Sequence, residues 1–360
     1  MKKVIVLLFE NICTDGRVKR QLDILSKIDD IEISLFAFNN NDFRYKNFFS
    51  LGKERTLLPS YFFFIRKFLF SIKADYIYCN NIQSIIPALL IKILNIKAKI
   101  IYDSHELIIP DPETGISIAS KKSQFLERII TKLASKVICP NEDRANLMMS
   151  SYQLDSKPFI VPNFLESGEW DSGILNEKVG RFTFIYQGVL KNNRYLIELI
   201  KAFKFVDNAQ LFIVGFGELE ENIKTLITEL SLMDKVVLVG SLPREKLYKL
   251  TKTCHVGIVT YDFSNINNKL CAPNKISEYL LLGLPIISTP QVTIKNIIEN
   301  ESVGLCFNKD ALDSEDLINI SKTFKQAQKN YNMHLENVLK CRMRFEFKAE
   351  NYTTILDFSK

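Results

Sequence analysis

The sequence predicts an α/β protein built from two doubly wound domains, each with a parallel sheet. Short apolar runs of strand length alternate with longer segments of helical period, and the alternation starts again half-way along the chain. Such alternation is typical of βαβ crossovers, which pair strands in parallel. A chain of 360 residues is also too long for one ordinary hydrophobic core, so two domains are expected.

The first half contains six apolar runs with the length of buried strands. They lie at 4–9, 31–38, 75–79, 98–103, 136–140 and 159–162, and helical candidates lie at 16–28 and 84–96. The first run, VIVLLF, is short for the apolar part of a signal peptide and predicts a buried strand instead. Asp15 stands where it would cap the following helix. Anion binding at that helix start is an alternative, although capping alone explains the aspartate.

The second half repeats the pattern from RFTFIYQG (181–188). Its further strands are predicted at 209–215, 235–240, 255–261, 284–289 and 303–307. The polar stretch 165–180 lacks apolar periodicity and holds three of the thirteen glycines, so we interpret it as a linker. The predicted domains are therefore residues 1–164 and 181–335. Ligands of such sheets bind beyond the carboxyl ends of the strands, and we expect the ligand between the two domains.

Composition and charge narrow the choice of partners. The chain is 47% hydrophobic and 24% charged, which is typical of a soluble globular protein. Its net charge of +6 is too small to indicate nucleic acid binding. It suits anionic ligands such as nucleotides, or an acidic membrane surface.

The cysteines and histidines do not form the pattern of a metal site. Seven cysteines are widely spaced without a CxxC pair, and three histidines lie far apart in the sequence. We therefore expect neither a zinc site nor a disulfide framework, and a reducing cytoplasm is the natural setting.

No stretch of the sequence is long and apolar enough to predict a transmembrane helix. The segment YFFFIRKFLFSIK (61–73) comes closest, but Arg66 and Lys67 interrupt it. Aromatic residues on one face and lysines on the other would let such a helix lie among lipid headgroups. The alternative is a core helix whose two charged residues point to water.

The stretch CAPNKISEYLLLGLPIIS (271–288) combines charged residues with a long apolar run. Pro273 fixes the backbone before a helix predicted to begin near Asn274, which leaves the N–H groups of the first turn available to an anion. Lys275 and Glu278 are three residues apart and share one face of that helix. We predict that Lys275 meets a phosphate and that Glu278 accepts hydrogen bonds from a diol. A helix-capping ion pair is the alternative.

Two further segments place glycines or basic residues at predicted strand ends. In YQGVLKNNR, Gly188 ends a strand, and Lys191 and Arg194 precede a helix. A planar guanidinium can bind two oxygens of a diphosphate, so Arg194 is a candidate phosphate ligand; a basic surface loop is the alternative. In IVGFGE, Gly215 and Gly217 open a helix with an acidic first turn, which favours a lining role over phosphate binding.

The first half offers one candidate histidine. The segment IIYDSHEL ends an apolar strand and continues with Asp103, Ser104, His105 and Glu106. Because the ligand sites of doubly wound sheets lie at strand ends, we predict a functional role for His105. A structural role is the alternative.

These segments together resemble one protein family. YQGVLKNNR, IVGFGE, VVLVGSLPREKLYKL and APNKISEYLLLGLPIIS resemble, in order, the nucleotide-sugar domain of retaining glycosyltransferases of family 4, which have the GT-B fold. DGRVKRQ and IIYDSHEL resemble the N-terminal domain of a branch with DSHE and PNKxxEY motifs. The resemblance implies two Rossmann-like domains facing a central cleft, with terminal helices, here 336–360, that cross back onto the first domain.

The resemblance also implies roles for individual residues. Glu278 would bind the ribose hydroxyls of the donor, and Arg194 would bind its diphosphate with help from Lys275. Asn274 and its neighbours would offer backbone N–H groups to the diphosphate or the sugar. His105 would contact the transferred sugar near the reaction centre. The donor site would also include Gly188, Lys191, Gly215 and Gly217.

The sequence departs from the family at three points. Leu270 occupies the position of an acid that contacts the sugar in many members, and Val189 replaces a second basic residue. FENICTDGR replaces a glycine-rich loop after the first strand. The identity of the sugar and the contacts at its anomeric carbon are therefore left open.

The implied function is transfer of a sugar from a nucleotide-diphosphate sugar to a lipid-linked glycan or surface polysaccharide precursor, with retention of anomeric configuration. Neither a metal nor a cofactor besides the donor is expected, and the enzyme would work in the cytoplasm at the inner face of the membrane. Two alternatives stay open: a nucleotide-sugar epimerase of the same fold, and a non-catalytic GT-B subunit that supports a partner transferase. A nicotinamide dehydrogenase is disfavoured because FENICTDG lacks the G-x-G-x-x-G turn.

Overall fold

A computed structural model of the chain describes residues 1–39, 43–52, 57–115, 120–166, 178, 180–310, 312–349, 352 and 355. These residues belong to two compact units. The first contains Met1–Pro162 together with the described residues from Lys348 onward, and the second contains Asn163–Phe347.

Within the described part of the first unit, seven parallel strands form one sheet. The strands are β1 (Lys2–Asn11), β2 (Ile31–Phe38), β3 (Phe48–Ser50), β4 (Tyr76–Asn80), β5 (Lys99–Asp103), β6 (Lys136–Cys139) and β7 (Phe159–Ile160). Their order is β3-β2-β1-β4-β5-β6-β7. The helices are α1 (Gly16–Ser26), α2 (Leu57–Lys67), α3 (Ile85–Leu94), α4 (Lys121–Leu133) and α5 (Glu142–Tyr152), with 3-10 turns at Leu69–Ser71 and Ile82–Ser84.

β1 is an inner strand of this sheet and lies between β2 and β4. Its residues from Val4 to Phe9 are buried, as expected for a central parallel strand covered on both faces. The strand predicted at 4–9 is thus confirmed. α1 begins directly after Asp15, whose Oδ1 accepts a hydrogen bond from the Val18 N–H at 2.9 Å. The predicted helix cap is therefore also confirmed.

The described part of the second unit contains a parallel sheet of six strands. They are β9 (Phe182–Gln187), β10 (Ala209–Val214), β11 (Val236–Gly240), β12 (Val256–Val259), β13 (Ile286–Ser288) and β14 (Gly304–Cys306), in the order β11-β10-β9-β12-β13-β14. A separate pair joins β8 (Leu165–Glu166) to β15 (Glu346–Phe347). The helices are α6 (Leu196–Phe203), α7 (Glu220–Glu229), α8 (Arg244–Thr253), α9 (Ile266–Lys269), α10 (Asn274–Leu281), α11 (Val292–Glu301), α12 (Leu317–Lys329) and α13 (Tyr331–Cys341), with 3-10 turns at Asn192–Arg194 and Arg342–Phe345.

Apolar cores cover both faces of the second sheet. Neighbouring residues of β9 alternate between them: Phe184 belongs to the core formed with α6 and α12, and Ile185 to the core formed with α10. The run from Leu280 to Ile287 forms the end of α10 and most of β13, and its leucine and isoleucine side chains are buried. The apolar character of this run follows from burial on both faces.

The C-terminal segment joins the first unit later than predicted. Val338 and Cys341 of α13 pack in the same core as α10, and the Ser277 hydroxyl donates to the Phe345 carbonyl at 2.8 Å. The described chain belongs to the first unit only from Lys348 onward. The prediction that the returning segment starts at 336 is therefore wrong, because the apolar side of α13 is buried in the second unit.

The predicted linker at 165–180 lies mostly outside the described residues, and its first two residues form β8. No helix within the described ranges is long and apolar enough to cross a membrane.

Candidate functional site

Polar side chains of the second unit gather where three neighbouring strands end. β9 ends at Gln187, β10 at Val214 and β12 at Val259, and these strands are adjacent in the sheet. α10 packs against β12 and presents Lys275 and Glu278 to the same edge. Carboxyl ends of adjacent parallel strands are the usual ligand-binding edge of a doubly wound sheet.

Glu278 is half-buried and held by two polar partners. The Gln187 amide donates from Nε2 to Oε2, and the Tyr248 hydroxyl lies 3.5 Å from Oε1. Arg244 in turn donates from Nε to the Tyr248 hydroxyl at 2.9 Å. Burial raises the pKa of Glu278, while the charges of Lys275 and Arg244 oppose that rise. These contacts differ from the alternative of a helix-capping ion pair, and a carboxylate with about four acceptor positions can accept further hydrogen bonds.

Lys275 lies among aromatic rings. Its Nζ is 4.9 Å from the ring centroid of Tyr186 and 5.7 Å from that of Tyr261. Burial, together with the neighbouring Arg194 charge, lowers the pKa of Lys275 to about 8. A side chain at Gly188 would collide with this ammonium group, because its Cβ would stand 2.4 Å from Nζ. Gly188 therefore provides the space in which the lysine lies.

Arg194 also lies against the ring of Tyr261. Its guanidinium carbon is 4.0 Å from the centroid of that ring, which is within the range of a cation–π interaction. Its NH1 donates to the Asn193 carbonyl at 3.1 Å. Lys191, three residues earlier, is exposed. Arg194 and Lys275 thus share one aromatic ring and bring two positive charges to the same strand edge.

Gly215 and Gly217 allow two strand exits to approach each other. A Cβ at Gly215 would lie 1.8 Å from the Gly188 carbonyl oxygen, and one at Gly217 would lie 2.4 Å from the Leu190 carbonyl oxygen. The two loops are also joined by a hydrogen bond from the Gly188 N–H to the Val214 carbonyl at 2.9 Å. The glycines thus serve close backbone packing, and the acidic residues Glu220 and Glu221 occupy the first turn of α7.

Asn274 is the exposed first residue of α10. Pro273 precedes it with an extended backbone, as the sequence predicted. Leu270 follows α9 directly.

A second polar cluster lies at the strand ends of the first unit. His105 follows β5, and its side chain is 13% exposed. The imidazole Nδ1 is 3.7 Å from Asp15 Oδ2, and Nε2 is 3.8 Å from Asp103 Oδ2. Burial lowers the pKa of His105, while the two carboxylates oppose that change. We therefore expect a neutral imidazole at neutral pH.

The Asp103 carboxylate beneath this histidine is fully buried and paired. Arg17 donates from Nε to Oδ2 at 2.9 Å and from NH2 to Oδ1 at 2.8 Å. Its NH1 donates to the Val161 carbonyl at 2.8 Å. This bidentate geometry is the strongest that a guanidinium and a carboxylate form.

The segment that contains the cluster of the second unit is similar to a known protein family. Residues 169–338, just under half of the chain, match the model of the family described as glycosyl transferases group 1. A glycosyltransferase of Methanocaldococcus jannaschii, itself described as uncharacterized, is 31% identical over 172 residues. That alignment covers 44% of this chain and 40% of the relative, so the chain spans less than half the length of the relative it matches.

Solved structures establish the fold over the whole chain. HepE of Anabaena, in complex with UDP and glucose, has a TM-score of 0.75 at 15% identity and covers 100% of both chains. Sucrose-phosphate synthase of Thermosynechococcus elongatus has a TM-score of 0.72 at 13% identity, with 98% of this chain and 97% of that chain covered. The fold is GT-B.

The predicted site residues of the GT-B chain fall into two groups, one inside the matched segment and one outside it. Those predicted for the donor all lie within the matched segment, and Gly188, Lys275 and Glu278 are brought together at one strand edge. His105 lies outside that segment, in the first unit.

Sequence reasoning missed the residues that support these groups. Gln187 and Tyr248 contact the carboxylate of Glu278. The ring of Tyr261 contacts both Arg194 and Lys275. Gln187 directly precedes a glycine at a strand end, which is a signal that could have marked it. Tyr248 lies mid-helix in a segment without any such signal, and only the packing of α8 reveals it.

Proposed function

We propose that the protein is a metal-independent, retaining glycosyltransferase that uses a nucleotide-diphosphate sugar as donor. The observation that carries this proposal is the environment of Glu278, Lys275 and Arg194. A half-buried carboxylate with acceptor capacity stands beside two cations that lie against aromatic rings. A nucleoside diphosphate presents the complementary chemistry, namely a ribose diol and a compact double anion.

In this proposal each group has a separate task. Glu278 accepts hydrogen bonds from the ribose hydroxyls, and Lys275 with Arg194 binds the diphosphate. Asn274 and its neighbours supply backbone N–H groups at the start of α10. Positive charge held in place before reaction stabilises the leaving diphosphate as its bond to the sugar breaks. Lys275 and Arg194 thereby stabilise the charge that a metal ion stabilises in other transferases.

Retention of the anomeric configuration follows when the acceptor attacks the sugar on the same face from which the leaving group departs. The bond between the anomeric carbon and the diphosphate oxygen breaks, the acceptor oxygen bonds to that carbon, and the acceptor proton passes to the departing phosphate oxygen. His105 is proposed to contact the transferred sugar. HepE was crystallised with UDP and glucose and with UDP-glucose, so uridine diphosphate sugars are the first donors to test.

The acceptor is proposed to be a lipid-linked glycan or a surface polysaccharide precursor, met at the inner face of the cell membrane. The support is a surface on the first unit formed by α2, the 3-10 turn after it, α3 and α4; α3 packs against both α2 and α4. We call it the cationic face. Large apolar side chains stand exposed on it: Leu58, Phe62, Phe70, Ile93, Phe125 and Leu133.

Charge on the cationic face has one sign. Exposed basic residues lie on the same helices, α2 and α4: Arg66, Lys67, Lys121, Lys122, Arg128 and Lys132. In α2, α3 and α4, which are described throughout, the one carboxylate is Glu127, and it is fully buried. Exposed apolar groups surrounded by cations suit the headgroup region of anionic lipids. Within the segment at 61–73, Phe64 is buried as the core-helix alternative predicts, whereas Phe62 and Phe70 are exposed and available for the proposed contact with lipid.

A thermal-shift screen of nucleotide sugars, followed by product analysis, tests the proposed activity. A donor that binds the folded state raises the melting temperature in proportion to ln(1 + [L]/Kd), and transfer to an acceptor supports the proposal. Release of an epimerised nucleotide sugar without acceptor would favour the epimerase. Neither binding nor turnover would favour the non-catalytic subunit.

A further inference from the structure

Three consecutive residues at the end of β5 are each held by a buried ionic group. Asp103 is paired with Arg17. The Ser104 hydroxyl donates to Glu127 Oε1 at 3.2 Å. The His105 carbonyl accepts from Arg144 NH1 at 2.7 Å. A loop that merely closed a strand would not need three buried charges, so their convergence indicates that the position of His105 is important.

Tyr352, from the C-terminal segment, shares the same carboxylate. Its hydroxyl donates to Asp103 Oδ2 at 3.3 Å and accepts from Gln21 Nε2 at 3.3 Å. Gln21 Oε1 in turn accepts from Asn80 Nδ2 at 3.0 Å. Burial and the charge of Asp103 raise the pKa of Tyr352, so its hydroxyl keeps its proton and stays a donor.

Oδ2 of Asp103 is also the atom that faces His105. Among the described residues, His105 Nε2 is buried and has no hydrogen-bond partner, and Oδ2 lies 3.8 Å away. We infer that Arg17 and Tyr352 are positioning residues that orient Asp103 and, through it, the imidazole of His105. The last segment of the chain thereby contributes to the geometry of the residue proposed to contact the sugar.

The contact predicts a direction for the proton affinity of His105. The charged groups that act on its imidazole include Asp103, Asp15, Arg17 and Glu106. A hydroxyl that donates to Asp103 withdraws part of the negative charge facing Nε2. Tyr352→Phe removes that donor, leaves the carboxylate a better partner for a protonated imidazole, and should raise the pKa of His105.

Histidine NMR titration of the full chain measures this directly. The chain has three histidines, and the His105 signal is the one absent from His105→Gln. We expect Tyr352→Phe to raise the pKa of His105 by roughly half a unit or more. Tyr61→Phe is the matched control, because that hydroxyl donates to the Gln83 carbonyl and its loss should leave the pKa of His105 unchanged.

An unchanged pKa of His105 in folded Tyr352→Phe would overturn the inference. If that variant does not fold, Gln21→Met keeps the Tyr352 ring and removes the donor to its hydroxyl, together with the acceptor for Asn80 Nδ2. A smaller rise is then expected, and no rise overturns the inference equally.

The effect of Tyr352→Phe on sugar transfer rests on the proposed function and is measured separately from the NMR titration. Tyr352→Phe should lower kcat several-fold and leave the donor KM unchanged, because the nucleotide is bound by other residues. A shifted pKa with an unchanged kcat would support the contact and remove His105 from the transfer reaction. An unshifted pKa with normal wild-type transfer would overturn the contact and leave the proposed function intact.

Discussion

The two polar clusters both lie at the carboxyl ends of strands, but their charges are compensated differently. One follows β5 in the first unit, and the other lies at the ends of β9, β10 and β12 in the second unit. In the first unit Asp103 is fully buried and its charge is matched by the bidentate Arg17. In the second, Lys275 and Arg194 lie against aromatic rings. A matched pair fixes structure, whereas cations held against rings remain able to bind an anion.

Removing one partner of the matched pair is the strongest test of this difference. Arg17→Met keeps much of the side-chain volume but leaves Asp103 buried without its cation. We expect the free energy of unfolding to fall by about 3–5 kcal/mol, the usual cost of breaking a buried pair on one side. Chemical denaturation followed by circular dichroism measures it. Lys249→Met, which breaks the exposed pair with Glu245, is the control, and equal losses in both variants would contradict the contrast.

A substitution in the cluster of the second unit should change ligand binding rather than stability. Glu278→Gln keeps the shape of the side chain and removes the charge that accepts from a diol. A hydrogen bond to a charged group contributes roughly 1.5–3 kcal/mol, so affinity for the preferred nucleoside diphosphate should fall about tenfold to a hundredfold. Calorimetric titration measures it. Glu218→Gln changes an exposed acid beside the same strand edge and should bind like wild type. Equal affinities for Glu278→Gln and wild type would mean that Glu278 does not bind the ribose.

The cationic face of the first unit also carries positive charges without a buried partner, and these should bind an anionic membrane. Arg66→Gln/Lys67→Gln removes two exposed charges from α2. Each basic group near an anionic membrane contributes about 1 kcal/mol, so binding to phosphatidylserine-containing vesicles should weaken roughly tenfold or more in cosedimentation. Lys249→Gln/Lys252→Gln removes the same charge from α8 and should bind as wild type does. Unchanged binding in the first variant would exclude α2 as the anchor.

The smallest expected effect is a pH dependence of donor binding. Burial depresses the pKa of Lys275 to about 8 in the folded protein, and the diphosphate prefers the protonated form. Affinity should therefore be constant below that pH and decrease several-fold as pH rises through it. Lys275→Arg keeps its charge over this range and should flatten the profile in calorimetric titrations. A wild-type profile that is already flat would mean that Lys275 does not contact the diphosphate.

The elements of the fold could be predicted because their signals are local. The buried run of β1, the Asp15 cap and the turn at Pro273 each depend on residues adjacent in the sequence, since strand burial, capping and proline geometry act over a few residues. The same holds for Lys275 and Glu278, whose shared helix face follows from a spacing of three.

The partners of the site could not be predicted, because they lie far apart in the sequence. Gln187 and Glu278 are separated by 91 positions, Arg17 and Asp103 by 86, and Tyr352 and Asp103 by 249. Nothing local indicates that such side chains meet, since each contact depends on how whole strands and helices pack. The sequence by itself thus determined the strands, the helix starts and the residues at their ends. Only the tertiary structure decided which charges are matched by a buried partner and which stay able to bind a ligand.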